Sequence, residues 1–132
     1  MLDLKKLLTK ILQKLKAHDV DYITEQGANG SWKYRKWHSG KVEAWARWSV
    51  GTVPVTTASL PYGGYRSGAL TFTIPSGIFT ATPHAVGTKT YSQGGWLTHL
   101  QATSTTSITA YIGCGTSATL TSQTIDVYAW QN

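Results

Sequence analysis

The side chains in this 132-residue chain able to move a proton, attack a carbonyl or hold a metal are six carboxylates, four histidines and one cysteine. Their placement argues against a catalytic centre. Beyond Glu43 the only side-chain carboxylate is Asp126, so a pair of acids for glycoside hydrolysis can come only from Asp19, Asp21, Glu25 and Glu43. His18, His38, His84 and His99 show neither HxH nor HExxH spacing, which counts against a zinc site. A lone Cys114, in "IGCGTS", allows no disulfide framework and no cysteine-rich metal site. It reads as a small buried thiol rather than a nucleophile served by His84 or His99. No GxSxG-like context supports a serine triad. "YGGYRSG" has glycines but neither the P-loop lysine nor a strand–loop–helix setting, so it reads as a loop. The expectation is no catalytic residue, no metal, no cofactor and no enzyme activity.

Recognition is the remaining chemistry. Residues 51–132 are poor in charge and rich in Thr, Ser, Gln, Tyr and Trp, with 18 threonines. Aromatic faces stack on the apolar side of a pyranose while hydroxyls and amides bind its rim. Tyr62, Tyr65, Arg66, His84, Tyr91 and Gln93, all read as loop residues, are the carbohydrate-binding candidates. The net charge of +6 invites a nucleic-acid reading, but its location argues otherwise. Residues 1–18 hold five lysines against Asp3, whereas residues 48–132 hold only Arg66, Lys89 and Asp126. A phosphate-tracking protein would spread its cations over the globular part. No apolar run is long enough to span a membrane, and the lysine-interrupted start has no signal-peptide layout.

Two segments position these residues. In residues 1–18, Met1, Leu4, Leu8, Ile11, Leu15 and His18 recur at alternating spacings of three and four, a coiled-coil seam widened by Leu7 and Leu12. Asp3 at the start and lysines toward the end suit the helix dipole. A helix this short is marginal alone, so the stripe needs its own domain, copies of itself, or a membrane or foreign partner. Self-association through Leu4, Leu8, Ile11 and Leu15 is the favoured outcome.

Residues 19–132 read as an all-β head, an antiparallel β-sandwich of jelly-roll kind. "VDYITEQG", "WKYRKW", "VEAWARWSV", "ALTFTIP", "GWLTHLQATS", "SITAYIGC" and "TIDVYAWQ" are the strand candidates. Ile108, Ala110 and Ile112 alternate to one side of their strand, as do Ile125, Val127 and Ala129 opposite Asp126, Tyr128 and Trp130. "VGTVPVTTASLPYGGYRSG" and "FTATPHAVGTKTYSQGG" read as long irregular connections. A tight turn at Ser39-Gly40 places Lys36 opposite Glu43 as an ion pair, Tyr34 opposite Trp45, and Trp32 opposite Arg47. Both faces of that hairpin carry large aromatics. The economical explanation buries one face in the core and the other against a neighbouring subunit.

"DYITEQGANGSWKYRKWHSGKVEAWARW" resembles a segment recurring in structural proteins of phages and prophages of Gram-positive bacteria, roughly "DYIVEQG…W.YRKW.SG..E.W". Residues 21–48 match it closely, and Ala69–Pro75 loosely echoes the portion that follows. The resemblance implies a C-terminal head domain of a tail fibre or receptor-binding protein. Such heads are β-sandwiches that trimerise below a stalk and attach the virion to a host-surface saccharide. Trp32, Tyr34, Arg35, Lys36, Trp37 and Glu43 form the signature, to which the family assigns no ligand role. The partners implied are two further copies of the chain, other tail proteins and a host cell-wall saccharide. The chain would be made in the bacterial cytoplasm and carried on the phage tail.

Overall fold

The structure is a computed structural model and describes residues 3–17, 20–58, 61–90 and 94–132. Helix α1 spans Leu4–Ala17. Asp3 caps it, its carboxylate accepting from the backbone N–H of Lys5 (3.0 Å) and Lys6 (3.4 Å), two donors the first turn cannot satisfy itself. The apolar stripe is bare. Leu4, Leu8, Ile11 and Leu12 are 68%, 60%, 46% and 53% exposed, so α1 does not bury its seam on the head. The side chain of Leu15 lies outside the described residues, as do Met1 and His18.

Nine strands follow: β1 (Ile23–Asn29), β2 (Trp32–Trp37), β3 (Val42–Ala58), β4 (Tyr65–Ser67), β5 (Leu70–Thr73), β6 (His84–Lys89), β7 (Trp96–Ser104), β8 (Ser107–Cys114) and β9 (Ala118–Gln131). Every ladder is antiparallel. One layer runs β1-β2-β3-β9-β6. In the other, β7 pairs one edge of β8 while β4 and β5 share the opposite edge. The 17-residue β3 belongs to both layers. Register shifts against β9 on either side of Gly51, whose φ is +82°, bend it so that its far end meets β4. Where β4 gives way to β5, the buried Ser67 hydroxyl accepts from the Ile112 N–H at 3.0 Å, satisfying a donor between the two paired segments of that edge.

The core fills the space between layers. Ile108, Ala110 and Ile112 are fully buried, as are Ile125 and Ala129, with Val127 at 3% exposure, so the alternation of both segments marks the core face. Trp32 is 2% exposed and its indole N–H donates to the Thr73 carbonyl at 2.9 Å. Phe72 of β5 stacks on both Trp32 and Trp48, with ring centres 5.2 and 4.8 Å apart, and so joins the layers.

The hairpin register differs from the sequence expectation by one residue. Lys36 pairs with Val42, Arg35 with Glu43, Tyr34 with Ala44, Lys33 with Trp45 and Trp32 with Ala46. The turn is longer than a two-residue one. Trp37 N–H donates to Lys41 O (2.8 Å), Gly40 N–H donates to Trp37 O (3.0 Å), and Gly40 takes φ +94°. This is a three-residue loop closed by a left-handed glycine. The slip sets the bulky Trp32 across from a small alanine on the buried face and carries Arg35, rather than Lys36, to Glu43. Lys36 instead meets Glu25 at 3.5 Å.

Three further readings change. Residues 51–58 continue β3 rather than forming a loop, Tyr65 and Arg66 lie in β4, and His84 begins β6. Val53 and Val55 alternate into the core, but the Thr and Gly residues around them hide that strand, and the short β4 and polar β6 are held chiefly by their ladders. Cys114 is only half-buried, at the end of β8 where the core thins.

Asp21 fastens the chain's entry to this turn. Its carboxylate accepts from Ser39 Oγ (2.6 Å), Ser39 N–H (3.0 Å) and Tyr22 N–H (3.0 Å), and the Ser39 hydroxyl is the main cause holding it below the ordinary carboxylate range. A lowered folded pKa gives stability that is complete above the unfolded value and is lost as pH falls through the folded one. The expected result is a melting-temperature gap between wild type and Asp21→Asn that is full at pH 6 and closes as the pH falls below that of an ordinary carboxylate.

Candidate functional site

Strand alternation turns every second residue of the five-stranded layer away from the core. The outward set is Lys33, Arg35 and Trp37 on β2, Glu43, Trp45 and Arg47 on β3, Asp126, Tyr128 and Trp130 on β9, and His84, Val86 and Thr88 on β6, matched across the ladders. β3 and β9 lie side by side here, so their non-core positions merge into one aromatic and charged face.

Glu43 organises one half of it. Its side chain is 14% exposed; it accepts from the Trp37 indole N–H (3.2 Å) and the Tyr128 hydroxyl (2.8 Å), with Arg35 and Lys41 each at 4.0 Å. Burial, and then the bond to Glu43, raise the Tyr128 phenol above its ordinary value, which keeps it a donor. Both Glu43 oxygens are thus occupied by fixed donors, a structural use of the carboxylate. Tyr128 stacks on Trp130 (5.5 Å) and Trp130 on His84 (5.3 Å), and Val86 beside them is 52% exposed.

Trp45 organises the other half. The Arg35 guanidinium lies 5.1 Å from its ring centre, a cation–π contact. Arg47 and Asp126 form a two-point ion pair at 2.9 and 3.3 Å. Each partner shifts the other toward its charged form, Asp126 downward and Arg47 upward. Two shallow clefts, of about 380 and 440 Å³, open on this half and share Lys33 and Trp45 as walls.

The opposite layer carries a smaller cluster. Arg66 lies over the Tyr111 ring at 4.9 Å, His99 sits tilted against the same ring at 5.9 Å, and Trp96 is 48% exposed. The structure therefore separates the residues expected to bind sugar. Tyr65 is half-buried against the core, Arg66 points outward from the same strand, and His84 stands on the other layer under Trp130. Tyr91 and Gln93 lie outside the described residues, as does the side chain of Tyr62. Lys33, Trp45, Tyr128 and Trp130 were not among the candidates. The signal that could have found them is the non-core alternation of "EAWARW" and "TIDVYAW", once the two strands are set side by side. Among the described residues no three His, Cys, Asp or Glu side chains gather as a metal site, and no helix is long and apolar enough to cross a membrane.

The class these features define is a small antiparallel β-sandwich preceded by an amphipathic helix whose apolar stripe is uncovered. No family model and no curated protein matches the chain. Among solved structures it is similar to the N-truncated R1-type pyocin tail fibre, with a TM-score of 0.59 and 14% identity, over 92% of this chain and 95% of that one. At that identity the likeness is one of fold.

Proposed function

We propose that this chain is the trimeric head of a phage tail fibre and attaches the particle to a saccharide of the host cell surface without catalysis. The observation that carries the reading is the tail-fibre fold, matched along nearly the whole of both chains. The resemblance of residues 21–48 to structural proteins of Gram-positive phages points the same way and suggests a cell-wall polymer as receptor. The bare stripe of Leu4, Leu8 and Ile11 suits a three-helix seam, to which Leu15 belongs by spacing. Tyr62, Tyr65, Arg66, His84, Tyr91 and Gln93 remain candidates for sugar contact. The virion tail is the proposed location, with other tail proteins as neighbours.

A second reading, a purely structural tail or baseplate part, is favoured by the half-buried Trp37, Trp130 and exposed Val86, which suit contact with a neighbouring subunit. Binding to purified Gram-positive walls and to a glycan array separates the two. Saturable binding is the expected result; no binding to any wall polymer assigns the structural role. The same walls should release no reducing ends. Release that disappears in a folded Glu43→Gln variant would make the protein a hydrolase.

A further inference from the structure

We infer that the two clefts flanking Trp45 form one groove for an acidic polysaccharide, with Trp45 as the shared wall and Lys33 as its anchoring cation. The inference rests on the saccharide-binding reading above and gives it a place and a ligand class.

Three observations support it. The clefts are adjacent, with Lys33 and Trp45 as shared walls, and each is large enough for a sugar ring in a shallow site. Trp45 is half-buried and lines both clefts, and Arg35, lying over part of its ring, fixes its orientation. Charge supplies the third. The lining holds Lys33, Arg35 and Arg47 against the single carboxylate of Asp126. Asp126 is engaged by Arg47, and Arg35 has Glu43 at 4.0 Å, but the Lys33 ammonium makes no hydrogen bond or ion pair among the described residues.

That unpaired ammonium stands between the subsites and decides the class of ligand. A neutral sugar offers it hydroxyl acceptors but no countercharge. A carboxylate or phosphate on the saccharide supplies the charge-assisted partner that Lys33 lacks. Nucleic acid fits less well. Tracking a phosphate backbone takes a stripe of cations, and the groove holds three, one of them already paired with Asp126. The apolar residues suited to a neighbouring subunit, Trp37, Trp130 and Val86, lie in the other half of the face.

The test is titration of the full chain with polygalacturonate, dextran phosphate, unmodified dextran and poly(dT). Binding to at least one of the two acidic polysaccharides is expected, and which one binds distinguishes carboxylate from phosphate. Affinity should fall about tenfold in Lys33→Ala and in Trp45→Ala, fall with added salt, and be kept in Lys33→Arg and in Lys10→Ala, which removes an exposed lysine of α1. Lys33 is exposed, so Lys33→Ala carries the test even where Trp45→Ala fails to fold. Equal binding of unmodified dextran, stronger binding of poly(dT), or wild-type affinity in folded Lys33→Ala overturns the groove. Wall binding that survives Lys33→Ala while neither acidic polymer binds overturns the groove alone. A wild-type chain that binds no wall polymer overturns the saccharide reading with it.

Discussion

Replacing Leu8 and Ile11 together by Asp is expected to convert the proposed three-chain assembly into single 14.4 kDa chains, read by sedimentation or light scattering. The physical basis is the uncovered seam. Leu8 and Ile11 are 60% and 46% exposed in the single chain, on a 14-residue helix too short to be firmly helical in water without a partner. Burying a Leu or Ile side chain contributes about 1.5–3 kcal/mol, and a three-helix seam gains this at each position in each copy. A carboxylate at the same positions loses that gain and must be desolvated beside its own copies, so the assembly loses both layers of the seam at once. The head has its own core between two sheets, so the β-sheet circular dichroism should survive. Wild-type protein that is a monodisperse single chain at micromolar concentration would remove the trimer and with it the stalked-head reading.

Trp32→Ala is expected to destabilise the head by about 3–5 kcal/mol, the range for truncating a buried aromatic, measured by urea unfolding. Three things are lost together. The indole leaves a cavity at a site now 2% exposed, its N–H no longer meets the Thr73 carbonyl, and Phe72 loses one of its two stacking partners between the layers. Against the 5–15 kcal/mol that typically holds a domain, this brings the head close to unfolding. Trp96→Ala is the control. That ring is 48% exposed, so its removal should cost no more than about 1 kcal/mol. Equal losses for the two would mean that Trp32 is not the bridge between sheets. The comparison also separates the members of the tryptophan-rich hairpin, since Trp32 and Trp48 serve the core while Trp37 and Trp45 face outward.

Much of this architecture is legible in single segments. The helix can be read from its spacing of threes and fours, and α1 begins at Leu4 with Leu4, Leu8 and Ile11 forming the stripe that spacing gives. The inward faces of β8 and β9 can be read from Ile108-Ala110-Ile112 and Ile125-Val127-Ala129, because alternation within a strand is a local property of its own residues. The fold class follows from those alternations together with the threonine content. The polar strands β4 and β6 are less legible. His84–Lys89 has no clean apolar face, and its place in the sheet comes from pairing with β9 along its whole length.

What the amino-acid order determined by itself was therefore the kind of element in each strongly periodic segment, the side of each such strand that seeks the core, and the apolar stripe of α1. Tertiary structure alone decided which strands lie side by side. It set the Trp32–Ala46 register through a three-residue turn closed by Gly40. It also laid β9 between β3 and β6, so that Trp45, Tyr128, Trp130 and His84 share a face although Trp130 lies 85 positions after Trp45. The reason is one of range. Alternation is encoded by neighbours two residues apart, whereas a ladder joins residues whose proximity exists only after the chain has closed upon itself, and the face built across those ladders is invisible until it has.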